Sequence, residues 1–197
     1  MISERRIFVG VLAAISGLAG APVLSGCAHA SASTTRTTVT ETTSANAVTP
    51  ALKDDQVAGI LVALDATAIQ RARIAQERAR DPRIRQLADR IVADGAKTSD
   101  DEDALLRRVD VTPTETRESV ELAVAEGHVV ERLRGLSDDA FDDAYLAAEI
   151  DAADRTVRTV DRTLIPAVRL DELRRLLVAV RDAADLRLLE AREIRAR

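Results

Sequence analysis

The apolar positions of this chain fall into two regimes. From Ile7 to Leu24 they run almost unbroken, with Gly10, Gly17 and Gly20 interspersed. From Asp54 onward they recur at three- and four-residue steps, the period of an amphipathic helix. Between the two lies Ser/Thr/Ala-rich sequence with no period and few large apolar groups.

In the periodic region, Val57, Ile60, Leu61, Leu64, Ala68, Ala72 and Ala75 mark one face of a first helix, with Asp54-Asp55 as its cap. Asp81-Pro82 ends that helix and opens a second, because Pro disfavours helical geometry in the residue before it and suits a first turn. The second carries Ile84, Leu87, Ala88, Ile91 and Val92, then Leu105, Leu106 and Val109. Gly95 and the polar run Lys97–Asp101 weaken its middle and predict a kink or break. Val111-Thr112-Pro113 reads as a loop or helix start. A shorter helix over about Glu115–Leu136 follows, interrupted near Gly127.

Ser137-Asp138-Asp139 is a good N-cap for a third long helix using Phe141, Tyr145, Ile150, Val157, Val160 and Leu164, ended by Pro166. The last helix, about Asp171–Arg195, repeats Leu173, Leu177, Val180, Ala184, Leu188 and Ala191 in steps of four and three. Its other face, including Glu172, Arg175 and Asp182, reads as a solvated, salt-bridged surface. Four long helices joined by short Pro-marked breaks predict an all-α fold, an antiparallel four-helix bundle with an extra shorter helix before the third long one.

The first regime reads differently. Leu24-Ser25-Gly26-Cys27 is a lipobox, closing an apolar segment behind Arg5-Arg6. Residues 1–26 are then a signal peptide, and Cys27, the sole cysteine, is the lipidation site. Three acyl chains at ~0.8 kcal/mol per buried methylene exceed the threshold for stable anchoring. Arg5-Arg6-Ile7-Phe8-Val9 resembles the twin-arginine export motif, but Glu4 and Gly10 depart from it, so Sec and twin-arginine export both stay open. Residues 27–52 read as a disordered tether with a reach of roughly 25–30 Å. Residues 53–197 form the helical domain.

Composition narrows the chemistry further. The 197-residue chain has net charge −5; Arg5, Arg6 and Glu4 leave with the signal (+1), so the mature chain carries −6. An acidic chain without a basic stripe argues against nucleic acid as a partner. After the signal only Phe141 and Tyr145 are aromatic, which argues against stacked cofactors. With Cys27 acylated, no thiol is left for disulfide, metal or nucleophile.

Several residues in the helical region resemble one family. These are Ala72–Ala75, Asp81-Pro82-Arg83-Ile84-Arg85-Gln86-Leu87-Ala88, Ile91-Val92-Ala93-Asp94, Val111-Thr112-Pro113 with Ser119, and Phe141–Tyr145. Together they are similar to domain-of-unknown-function family 4142, often labelled an outer-membrane protein and placed in the ferritin-like superfamily. The resemblance covers about residues 54–195 and implies a ferritin-like bundle. Histidines usual in that family would fall at Gly95, near Ala153 and near Asp185, and this chain has none there.

A ferritin-like di-iron site needs Glu-x-x-His pairs, and none occurs in the chain. His29 lies in the tether and His128 reads as a surface or boundary residue. Asp100-Asp101-Glu102-Asp103 lacks calcium-loop spacing and reads as a solvated helix face. Phe141 and Tyr145, one turn apart, read as a core plug. No catalytic, cofactor or metal residue is assigned. The expectation is a non-enzymatic, lipid-anchored bacterial envelope protein, at the outer membrane facing the periplasm since Ala28 rather than Asp follows the cysteine. Its partners are the membrane, through the lipid at Cys27, and an envelope protein or a second copy. The alternative is a ferritin-like metal-binding or oxidoreductase-type bundle using carboxylate ligands, which requires acidic side chains converging inside the domain.

Overall fold

The computed structural model describes residues 52–197; the signal-peptide, Cys27, His29 and tether readings lie outside the described residues. Among the described residues the elements are α1 (Asp54–Arg78), α2 (Pro82–Arg108), α3 (Arg117–Gly135), α4 (Asp138–Thr159), a π turn (Val160–Leu164), α5 (Ile165–Ala167) and α6 (Asp171–Arg195). No strand occurs among them, and the fold is all-α.

Local chemistry accounts for most of the ends. Asp81 Oδ1 accepts from Arg83 N at 2.8 Å while Pro82 fills the first helical position of α2. Thr116 and Ser119 cap α3 reciprocally: Ser119 N donates to Thr116 Oγ1 at 3.0 Å, and Thr116 N to Ser119 Oγ at 2.9 Å. At α1 the cap position is Lys53, whose N donates to Gln56 Oε1. Asp54 and Asp55 sit in the first turn instead and tie down neighbouring chain. Asp54 Oδ1 accepts from Arg169 N at 2.8 Å, and Asp55 Oδ2 from Thr114 Oγ1 at 2.9 Å. After α2, Asp110 takes φ 54°, and Val111 N donates to Leu106 O at 3.0 Å, a Schellman-type end.

Three expected interruptions take another form. Helix α2 passes through Gly95 unbroken. A Cβ built there would lie 2.6 Å from Ile69 Cγ1, so the glycine lets α1 and α2 approach. Helix α3 likewise continues through Gly127. The helical run does end at Pro166 to within one residue, at Ala167, but before the proline the chain widens into the π turn, with Ile165 N donating to Val160 O. Proline lacks an N–H and its ring crowds the carbonyl four residues back, so a wider turn before it relieves both problems.

Specific bonds set the helix directions. Gln76 bonds Asp89, while Ile69 meets Gly95, so α1 and α2 are antiparallel. Arg71 bonds Glu149, and Arg80 N bonds Asp142, so α1 and α4 are antiparallel too. Arg195 meets Asp143 and Arg181 meets Asp161, giving the same relation for α4 and α6. By contrast α3 runs parallel to α1: Arg71 meets Glu126, and Arg78 meets the Leu133 carbonyl.

The apolar interior is in two parts. One includes Ala75, Leu87, Leu133, Phe141 and Tyr145; the other includes Val57, Leu61, Leu106, Val160 and Leu177. Along the helices, the segment between them carries buried charge.

Candidate functional site: a buried charged layer

Asp65 and Arg71 of α1, Glu102 of α2, Glu126 of α3 and Glu149 of α4 are all buried. Four helices therefore each place at least one ionisable side chain inside. The five form two groups with different electrostatics.

The first group is compensated. Arg71 Nε donates to Glu149 Oε2 at 2.9 Å, and its Nη1 lies 2.7 Å from Glu126 Oε2. Burial alone would pull the Arg71 pKa down, but the two carboxylates outweigh it and hold the guanidinium charged. Tyr145 lies one turn before Glu149 and is fully buried. Burial, and then the Glu149 charge, push its hydroxyl well above the ordinary tyrosine range, so it stays a neutral phenol. Among the described residues Tyr145 Oη and Glu126 Oε1 have no hydrogen-bond partner. Beside Glu126 is a cavity of about 30 Å³ lined in part by Arg71, Glu126, Glu149, Ala153 and Arg187, wide enough for water. An Arg between two carboxylates is well suited to fixing helix register, since a slipped α3 would strand Glu126 and Arg71 without partners.

The second group is not compensated. Burial raises Asp65 to about 6, with Arg187 pulling the other way. Burial, then the neighbouring Asp65 charge, raises Glu102 to about 8. Asp65 Oδ2 and Glu102 Oε1 also lack hydrogen-bond partners among the described residues. At neutral pH these carboxyls are a proton-labile pair on adjacent helices.

The expected site residues are distributed as follows. His128 is exposed on α3. Phe141 and Tyr145 are both in the core, their rings stacked at 6.1 Å and 9°. Arg78 covers Phe141 at 4.8 Å and donates to the Leu133 and Leu136 carbonyls at the end of α3. Asp100, Asp101 and Asp103 are exposed, but Glu102 is buried, which corrects the reading of that run as one solvated face. Gly95 lines a groove beside Asp65, Ala153 lines the small cavity, and Asp185 faces Arg181 at 3.9 Å.

Sequence reasoning did not place Asp65, Arg71, Glu126 or Glu149 in the interior. Their signal was periodicity with charge included: Tyr145, Glu149, Ala152 and Thr156 advance in steps of four, three and four, as do Leu122, Glu126, Val130 and Leu133 in four, four and three.

Among the described residues no group of three or more His, Cys, Asp or Glu side chains is placed to hold a metal ion, and no described helix is long and apolar enough to cross a membrane. Fold and site together define an all-helical domain with a charged layer between two apolar parts. The model of a domain of unknown function (DUF4142) matches residues 37–194, and the chain belongs to that family. Neither a curated protein nor a solved structure matches the chain.

Proposed function

We propose that this chain is a lipid-anchored protein of the bacterial envelope, held by acylated Cys27 and acting through contact rather than catalysis. The observation that carries this reading is the lipobox Leu24-Ser25-Gly26-Cys27 after an apolar segment with Arg5-Arg6 in front. Placement at the outer membrane, facing the periplasm, rests on Ala28. Partners in this reading are the membrane and either an envelope protein or a second copy.

The long helices fit an antiparallel four-helix bundle of the ferritin-like kind, with α3 added outside. In support, α1 packs on α2, α2 on α6, α6 on α4 and α4 on α1, while α3 packs on α1 and α4. A carboxylate-only metal or oxidoreductase site is less well supported. Arg71 already stands between Glu126 and Glu149, and a cation there would have to displace a guanidinium.

Mass spectrometry of the intact chain from its native cells tests the anchor. The reading requires a chain beginning at Cys27 and heavier by its acyl groups. A mature chain that keeps residues 1–26, or starts elsewhere, would refute it. Turnover or stoichiometric iron in that preparation would refute the non-enzymatic role.

A further inference from the structure

Of the two uncompensated carboxyls, Asp65 borders an open groove, together with Arg187 of α6. The groove lies between α2 and α6, measures about 240 Å³, and has Asp65 of α1 among its lining residues. Leu87, Ile91 and Val180 give it a buried apolar floor, and Leu186, 68% exposed, stands at its rim. Arg90 and Glu190, also lining it, pair with each other across the two helices and so neutralise one another. Asp94 is an exposed carboxylate on the α2 side.

Two charges remain. Asp65 is 7% exposed, and its Oδ2 has no partner among the described residues. One layer further along α2, Glu102 presents an equally unpartnered Oε1. On the α6 side, Arg187 Nε donates only to the Ala183 carbonyl at 3.4 Å, and its guanidinium pairs with no described carboxylate. A half-buried guanidinium fork suits a carboxylate in two-point contact. A buried carboxylate with a bare oxygen suits an ammonium, which brings three donors.

We propose that this groove binds a small zwitterion with an aliphatic body, of the α-amino-acid class. Its ammonium meets Asp65, its carboxylate meets Arg187, and its side chain covers Leu87, Ile91 and Val180. Each part of the groove is then used. A bare metal ion would leave Arg187 and the apolar floor unmet, a simple anion would leave Asp65 unmet, and a simple amine would face Arg187 as a like charge. A pocket with an apolar bed and a few converging polar groups is the usual form of a small-molecule site. The site is independent of the anchor, so its failure would leave the membrane reading untouched.

Calorimetry and thermal melts on the mature chain beginning at Cys27 test this with three probes: L-leucine, and its two halves 4-methylpentanoate and 3-methylbutylamine. L-leucine should bind and raise the melting temperature, with each half weaker by roughly tenfold or more. Asp65→Asn and Arg187→Gln should each weaken L-leucine by roughly tenfold while circular dichroism stays helical. Arg187→Lys keeps the charge but not the fork and should fall between wild type and Arg187→Gln. The proposal is overturned if L-leucine neither binds nor shifts the melt, if either half matches it, or if Mg²⁺ alone occupies the groove and excludes it. Full L-leucine affinity in folded Asp65→Asn would also overturn it.

Discussion

Glu102→Gln isolates the energetic cost of the uncompensated carboxyl pair. Glutamine keeps the shape of Glu102 but cannot ionise. In the folded protein Glu102 is raised from 4.5 to about 8 by burial and then by Asp65, and Asp65 is raised from 3.8 to about 6 by burial against the pull of Arg187. Both folded values lie above the unfolded ones. The stability they contribute is therefore fully present below about pH 4 and is lost as pH rises through about 6 and then about 8. At 1.36 kcal/mol per pH unit, ionised Glu102 costs the fold at most ~5 kcal/mol above pH 8, and less than ~1 kcal/mol near pH 5. Water reaching the site lowers the first figure. Urea melts of wild type and Glu102→Gln near pH 5 and near pH 9 measure the difference directly. The variant should gain on wild type by up to ~4 kcal/mol between the two, on the order of 10 °C in Tm for a domain of this size. Parallel pH dependence in the two proteins would show that Glu102 is not a buried acid.

The compensated group should respond in the opposite sense. Arg71→Met strands Glu126 and Glu149 and should cost about 3–5 kcal/mol in a chemical melt, whereas replacing all three with apolar residues should recover most of that. The glycines divide by surroundings. At Gly59 a Cβ would sit 2.0 Å from the Thr114 carbonyl oxygen, and the strap there is held by Thr114 N donating to Asp55 O at 2.9 Å. Gly59→Ala should therefore destabilise by about 1–3 kcal/mol despite its better helix propensity. Gly127 has nothing within 4 Å, so Gly127→Ala in the same thermal melts should stabilise by about 0.5–1 kcal/mol.

Helix identity was readable because the apolar steps are long and regular; α6 spans Asp171–Arg195, as its steps of four and three imply. The all-helical class follows from the same pattern. What the pattern concealed is chemically consistent. Reading apolar residues alone put Ile150 and Val157 on the inner stripe of α4, yet both are half-buried, and after Leu146 the buried positions are Glu149, Ala152, Ala153 and Thr156. A charged residue at a seam position looks like surface until its partner is known, and the partners of Glu149 and Glu126 converge on Arg71, far away in sequence. The π turn was hidden for another reason. Proline announces a disturbance, but whether the helix stops or widens depends on the packing of Val160 and Leu164, both of which remain buried across it. Glycine is ambiguous in the same way: Gly95 looked like a break and is instead a point of close helix approach.

One substitution tests the lipid anchor at Cys27. Cys27→Ser removes the sole thiol of the chain and leaves residues 53–197 untouched. Membrane fractionation of cells expressing wild type and Cys27→Ser, with acyl labelling of both, is the decisive measurement. Wild type should sediment with membranes and carry label, while Cys27→Ser should lose the label and its lipid-held membrane attachment and still give a helical, cooperatively melting domain. A Cys27→Ser protein that remains membrane-bound to the same extent as wild type, or a wild type that takes up no label, would contradict the account.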